Sequence, residues 1–166
     1  SAWQKWLSRI AIRDREHDGE KMRGTDYRLP RIPMRPGEPI DLANFEVITD
    51  MPVKSLITAP ADDFTAQAGV PLTVRGFAWS GHTAVDSVAV SADGGETWTP
   101  ATLEPAVERF AWRRFSASVT PRAAGPIVLC ARATDVAGNS QPLGTAIWNP
   151  RGYCNNGVHR IAGRVL

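Results

Sequence analysis

The stretch FAWSGHTAVDSVAVSADGGETW, Phe77–Trp98, reads as strand, turn, strand, turn, with an aromatic closing each half. Val88 and Val90 fall on one face, with Ser87, Ala89 and Ser91 opposite, the period-two pattern of a half-buried strand. Asp93-Gly94-Gly95 then supplies residues that tolerate positive φ, so the chain can reverse tightly. A β-hairpin inside an all-β domain follows.

The same texture extends outward from Met51. Strands are expected at Val53–Thr58, Pro71–Trp79, Val85–Ser91, Thr97–Leu103, Phe110–Val119 and Pro126–Thr134, with two short ones near Gly144–Trp148 and Val158–Val165. Turn residues separate them: Pro60 to Asp63, Gly81, Asp93 to Gly95, Pro121 to Gly125, and Gly138-Asn139. No helix-length periodic segment intervenes. This pattern predicts an immunoglobulin-like β-sandwich rather than a barrel, without the Cys…Trp…Cys spacing of antibody domains.

Upstream the pattern fades. Trp3, Trp6, Leu7 and Ile10 have helical spacing, but Leu-Ser-Arg-Ile-Ala-Ile alternates, and a strand is expected over Leu7–Ile12. Residues 13–50 are polar, and Pro30, Pro33, Pro36 and Pro39 recur every three positions, as in an extended polyproline-like segment. An arm of this length without a core pattern needs a surface to lie on, either this domain's own face or another domain. The expected division is therefore an extended, mostly irregular arm, 1–50, followed by the sandwich, 51–166.

The formal net charge of +2 gives no indication of a nucleic-acid partner. Charge is unevenly placed, however. Residues 1–50 carry nine basic and nine acidic side chains, whereas Asn149–Leu166 carry three arginines and no acid, a local bias toward anions. No stretch has the pattern of a signal peptide or a transmembrane helix, and no membrane partner is expected. One disulfide between Cys130 and Cys154 is arithmetically possible, but Cys130 lies in the apolar run Ile127–Ala133, where a thiol acts as a small hydrophobe.

Motifs of chemistry are sparse. Ser91-Ala92-Asp93-Gly94-Gly95-Glu96-Thr97-Trp98 matches the Asp-box of sialidase-type propellers, but a propeller carries several copies and a single one reads as a well-capped hairpin. His17, His82 and His159 are scattered, with no partner at metal-ligand spacing, so no metal ligand is assigned. Three residues stand out. Lys5 interrupts the aromatic run Trp3-Gln4-Lys5-Trp6-Leu7. Tyr27 lies between Asp26 and Arg28 with no apolar neighbour. Arg151 is held between Pro150 and Gly152, where a guanidinium of few conformations suits a bidentate oxyanion clamp.

Taken in order, several stretches resemble the C-terminal portion of the sulfite oxidase group of molybdenum enzymes. They are Lys5-Trp6-Leu7 with Arg9-Ile10, Asp26-Tyr27, Pro52 to Pro60 (PVKSLITAP), Gly76 to Gly81 (GFAWSG), Val90 to Trp98, Ala111-Trp112-Arg113, Asp135 to Pro142 (DVAGNSQP), Ile147 to Gly152 (IWNPRG) and His159-Arg160. The resemblance implies the end of a molybdopterin domain followed by an immunoglobulin-like dimerisation domain, hence a homodimer through the sandwich and an upstream molybdopterin domain as partner. It implies that Lys5, with Gln4 and Trp3, contacts the molybdenum-molybdopterin cofactor, that Tyr27 is the active-site tyrosine, and that Arg151 binds sulfite or sulfate. The related nitrate reductases carry an apolar residue where this chain has Arg151, so sulfite oxidation is the expected activity. A periplasmic location and a cytochrome electron acceptor belong to the same resemblance. The cysteine that ligates molybdenum in the family lies upstream of the matched region, so this segment alone is expected neither to hold the cofactor nor to turn over. A free-standing immunoglobulin-like module binding carbohydrate or protein is the alternative.

Overall fold

The computed structural model describes residues 6–108, 110–144 and 146–166. Among the described residues eleven strands account for nearly all regular structure, beside two single turns of 3-10 helix at Glu20–Met22 and Leu42–Asn44. The strands are β1 (Arg28–Pro30), β2 (Phe45–Val47), β3 (Lys54–Ala59), β4 (Phe64–Ala66), β5 (Leu72–Trp79), β6 (Val85–Ser91), β7 (Thr99–Pro100), β8 (Thr102–Leu103), β9 (Arg113–Val119), β10 (Gly125–Asp135) and β11 (His159–Val165).

One sheet has the order β4-β11-β10-β6-β7 and the other β3-β5-β9-β8. Alternation puts one face of each strand inward. Val88 and Val90 of β6, Leu129, Ala131 and Ala133 of β10, and Val74, Ala78, Phe115 and Ala117 of the facing sheet form one continuous core. The fold is an immunoglobulin-like sandwich, as the period-two pattern predicts. Gly76 is required inside it: a Cβ there would lie 2.1 Å from the Leu56 carbonyl oxygen.

The structure departs from expectation at several places. The expected strand Thr97–Leu103 is two strands in different sheets, because the chain switches sheet at Ala101, whose N–H bonds the Val88 carbonyl at 2.8 Å. Residues 144 and 146–148 form no strand. Both edges of the neighbouring β10 are already paired, to β6 and β11, so none is left to recruit them. Leu7–Ile12 also form no strand, and Leu7, Ile10 and Ile12 are exposed; alternation supplies no pairing edge by itself. The proline run is broken by a turn at Pro36-Gly37, with the Glu38 N–H on the Arg35 carbonyl at 3.2 Å. The arm also contains a small ladder of its own, pairing Arg28 with Val47 and Pro30 with Phe45.

The Asp-box is a capped turn. Ser91 Oγ accepts the Gly95 N–H at 2.8 Å, Asp93 Oδ1 accepts the Glu96 and Thr97 N–H groups at 2.9 Å each, and Trp98 Nε1 donates to the Gly95 carbonyl at 3.0 Å. The hydrogen bonds from Ser91 and then Thr97 hold the Asp93 carboxyl well below the ordinary carboxylate range. Asp135 closes a second turn. Burial would raise its carboxyl, but bonds from Asn139, Ser80 and the Ala137 N–H outweigh that and lower it.

Gln141 is fully buried and ties three segments together. Its Oε1 accepts from Ser55 N (2.9 Å), Ser55 Oγ (2.6 Å) and Ala133 N (2.9 Å), and its Nε2 donates to the carbonyls of Asn156 and Gly157, each at 3.1 Å. The loop after Arg151 is thereby fastened to both sheets.

His159 makes a comparable link. Its Nδ1 accepts the Ile57 N–H at 3.1 Å, which requires an unprotonated nitrogen. Burial, then the charge of Lys54, depress its pKa, and Asp62 opposes them more weakly. A depressed folded value means that the neutral form stabilises the fold. That stabilisation is complete above the unfolded histidine value of about 6.5 and is lost as pH falls through the folded value. The thermal midpoint of the chain is therefore expected to fall between pH 7 and pH 5, more steeply than in a His159→Gln variant. Equal slopes in a pH series of melting curves would contradict this.

On the outer face of the four-stranded sheet, Trp79 and Trp112 stack with centroids 4.5 Å apart, and Phe77 meets Trp112 at 6.2 Å. Trp112 remains exposed.

Candidate functional site

Two of the sequence-selected residues, distant in the chain, come together. Tyr27 leads into β1, and Arg151 lies in the loop between β10 and β11. Asn149, itself buried, joins them. Its Nδ2 donates to the Arg28 carbonyl at 2.8 Å, while its Oδ1 accepts the Arg151 N–H at 2.8 Å and the Tyr153 N–H at 3.4 Å. One amide thus fixes the backbone next to Tyr27 and the backbone of Arg151.

Side chains of the same two segments also touch. Arg151 Nε lies 3.0 Å from Asp26 Oδ1, and the Tyr27 ring stacks on Tyr153 with centroids 5.6 Å apart and planes 12° apart. Gly152 has φ +72° and the Gly152 N–H returns to the Asn149 carbonyl at 2.9 Å, which forms the tight turn anticipated from Pro150-Arg151-Gly152. Tyr27 has φ +56°, in the left-handed region, where a bulky side chain is disfavoured by about 1 kcal/mol. An open cleft of about 300 Å³ adjoins the turn, lined by Ile147, Trp148, Asn149 and Tyr153 among others.

The electrostatics suit an anion. Asp26 Oδ1 meets Arg151 at Nε, and among the described residues no hydrogen bond is given to its terminal nitrogens. Those two groups remain available as a fork for a tetrahedral oxyanion. The Arg151 side chain is about half exposed, at 55%. A larger cleft of about 620 Å³ lies beside the Asp-box turn, but its lining of threonines, Asp93 and Arg122 presents no paired acid and base.

Metal ligation is not served by this set. Among the described residues no group of three or more His, Cys, Asp or Glu could hold a metal ion. Both cysteines are free thiols, and burial raises the pKa of each; Cys130 is buried, with Arg160 Nη1 3.2 Å from its sulfur. Tested against a molybdenum-pterin group, the described donors fit the oxyanion side of such a centre, through a phenol and a guanidinium, and do not fit its ligation. Lys5, Gln4 and Trp3, expected on the pterin, lie outside the described residues.

Sequence reasoning did not select Asn149, Tyr153 or the ion-pairing role of Asp26. The Asn-Pro-Arg-Gly run was visible, but nothing in it indicates that the asparagine side chain reaches back to Arg28.

Comparison with known proteins places the chain in a family. Residues 45–165 match the Mo-co oxidoreductase dimerisation domain. The chain is 35% identical over 164 residues to human mitochondrial sulfite oxidase, covering 95% of this chain and 30% of that protein. It is 31% identical to an NADH nitrate reductase of Lotus japonicus, covering 97% of this chain and 20% of that protein. Among solved structures, the sulfane dehydrogenase SoxCD of Paracoccus pantotrophus superposes with a TM-score of 0.56 at 34% identity, over 66% of this chain and 29% of that one. The chain thus spans under a third of each of these relatives. It belongs to the Mo-co oxidoreductase dimerisation domain family, within the sulfite oxidase group of molybdenum enzymes.

Proposed function

We propose that this chain is the dimerisation segment of a molybdopterin-dependent enzyme that oxidises sulfite to sulfate, and that it lends Arg151 to the substrate site. The observation that supports the reading is the Arg151 guanidinium, paired with Asp26 at Nε, on a loop whose backbone Asn149 ties to Arg28, the residue after Tyr27. A dianionic, tetrahedral product favours such a fork.

Sulfite and water give sulfate, two electrons and two protons. The molybdenum-molybdopterin group, when bound, supplies the oxygen-atom transfer and takes up the electrons. Arg151 binds and orients the anion through its terminal nitrogens. Tyr27 is the catalytic phenol, holding or passing a proton beside the reacting oxygen. Lys5, Gln4 and Trp3 secure the pterin, and residues 1–50 pack against the upstream molybdopterin domain that holds most of the cofactor. Homodimerisation through the sandwich belongs to the same reading, and the exposed Trp112, stacked on the half-buried Trp79, is the type of surface that a second copy covers. A periplasmic setting and a cytochrome acceptor complete it.

The test uses the intact enzyme that contains this chain. Purified enzyme should contain molybdenum, sediment as a dimer and deliver electrons to an acceptor on addition of sulfite. Reduction of nitrate in place of sulfite oxidation would overturn the substrate assignment.

A further inference from the structure

We infer that Tyr153 is a positioning residue for Tyr27, an inference that rests on the reading of Tyr27 as the catalytic phenol. Tyr27 occupies a left-handed backbone conformation that its bulk disfavours, so something must over-determine it. The backbone supplies part of the restraint. The Ile48 N–H bonds the Tyr27 carbonyl at 2.9 Å, and Asn149 Nδ2 bonds the carbonyl of the next residue, Arg28, at 2.8 Å.

None of these bonds fixes the ring. Tyr27 is 44% exposed, and its ring stacks nearly parallel on that of Tyr153. An aromatic pair contributes about 0.5–1.5 kcal/mol beyond the area it buries, enough to hold one rotamer over its alternatives. Tyr153 is itself held for this task. Gly152 at φ +72° and Cys154 at φ +55° flank it, so two left-handed residues aim its ring back at the arm, and its N–H is on Asn149 Oδ1. The same asparagine side chain holds the Arg151 N–H at 2.8 Å. The phenol and the guanidinium are therefore referenced to one another through the loop 149–154.

A catalytic group displaced by about 1 Å loses on the order of 100-fold in rate, so release of the ring should register in turnover. The experiment compares Tyr153→Phe, Tyr153→Leu, Tyr153→Ala and Tyr27→Phe in the intact enzyme, with 3-fluorotyrosine placed at position 27 as a reporter independent of turnover. Tyr153→Phe, which keeps the stack, should stay within about two-fold of the parent kcat. Tyr153→Leu keeps volume without a ring face and, like Tyr153→Ala, should lose roughly 10-fold or more in kcat with little change in KM. In both, the fluorine resonance at position 27 should shift and change width, because the ring current and the restraint disappear together. An unchanged kcat and fluorine spectrum in Tyr153→Leu, with Tyr27→Phe impaired, would overturn this inference alone. Full activity in Tyr27→Phe would overturn the underlying reading and the role of Tyr153 with it.

Discussion

Replacing Gln141 by leucine is expected to lower folding stability by about 4 kcal/mol or more, which places it among the most damaging single changes in a domain of this size. The side chain is fully buried and makes five hydrogen bonds, to two N–H groups, one hydroxyl and two carbonyls. Leucine fills a similar volume, so the loss is not a cavity effect. It comes from the partners left behind: the N–H groups of Ser55 and Ala133 would stay buried without acceptors, each costing about 1–3 kcal/mol. The loop at Asn156 and Gly157 would also lose its fastening, and that loop follows the Arg151 turn directly. Urea unfolding of the variant should show a much lower midpoint with an unchanged slope. Ser55→Ala, which removes one hydroxyl and leaves Gln141 its backbone partners, should cost only about 1 kcal/mol. A loss below 1 kcal/mol for Gln141→Leu would mean that the pin is not structural.

Replacing Arg151 by methionine in the intact enzyme is expected to raise the sulfite KM and the sulfate dissociation constant by on the order of 100-fold. Two charge-assisted hydrogen bonds to an oxyanion contribute roughly 1.5–3 kcal/mol each, of which competing water returns part. The change also leaves the Asp26 carboxylate without its cation, 3.0 Å from where Arg151 Nε stood, and an unpaired acid beside an anion site adds repulsion. Lysine should recover little, because an ammonium cannot bond Asp26 and fork to an oxyanion in one fixed plane. Isothermal titration with sulfate separates binding from turnover. Unaltered sulfate affinity in Arg151→Met would remove Arg151 from the substrate site.

Much of the sandwich is legible in the sequence, and the reason is local. Alternation of period two and glycine-bearing turns reveal β5, β6, β9 and β10 without reference to anything distant. What is missed depends on pairing. Residues 7–12 alternate as a strand should but have no edge to join, whereas Phe64–Ala66, too short to show a period, pairs in parallel with β11. The switch at Ala101 is not legible because each of its strands, Thr99–Pro100 and Thr102–Leu103, is two residues long and too short to show a period.

The site shows the same division. Tyr27 and Arg151 attract attention as residues out of keeping with their neighbours, which is a local signal. Their juxtaposition is not local. It depends on Asn149 reaching Arg28 and on Tyr153 reaching Tyr27 from the far end of the chain. Gln141 reads as one more polar residue in a turn, because its partners come from β3, β10 and the loop before β11.

The central claim is that Tyr27 and Arg151 act as one site across the contact between arm and loop. A double-mutant cycle with Tyr27→Phe and Arg151→Met, read as kcat/KM for sulfite in the intact enzyme, tests it most directly. Groups that share a substrate and a supporting network should couple by about 1 kcal/mol or more, so the double variant should lose less than the sum of the single losses. Strictly additive losses would contradict the claim and leave two independent residues in place of a shared site.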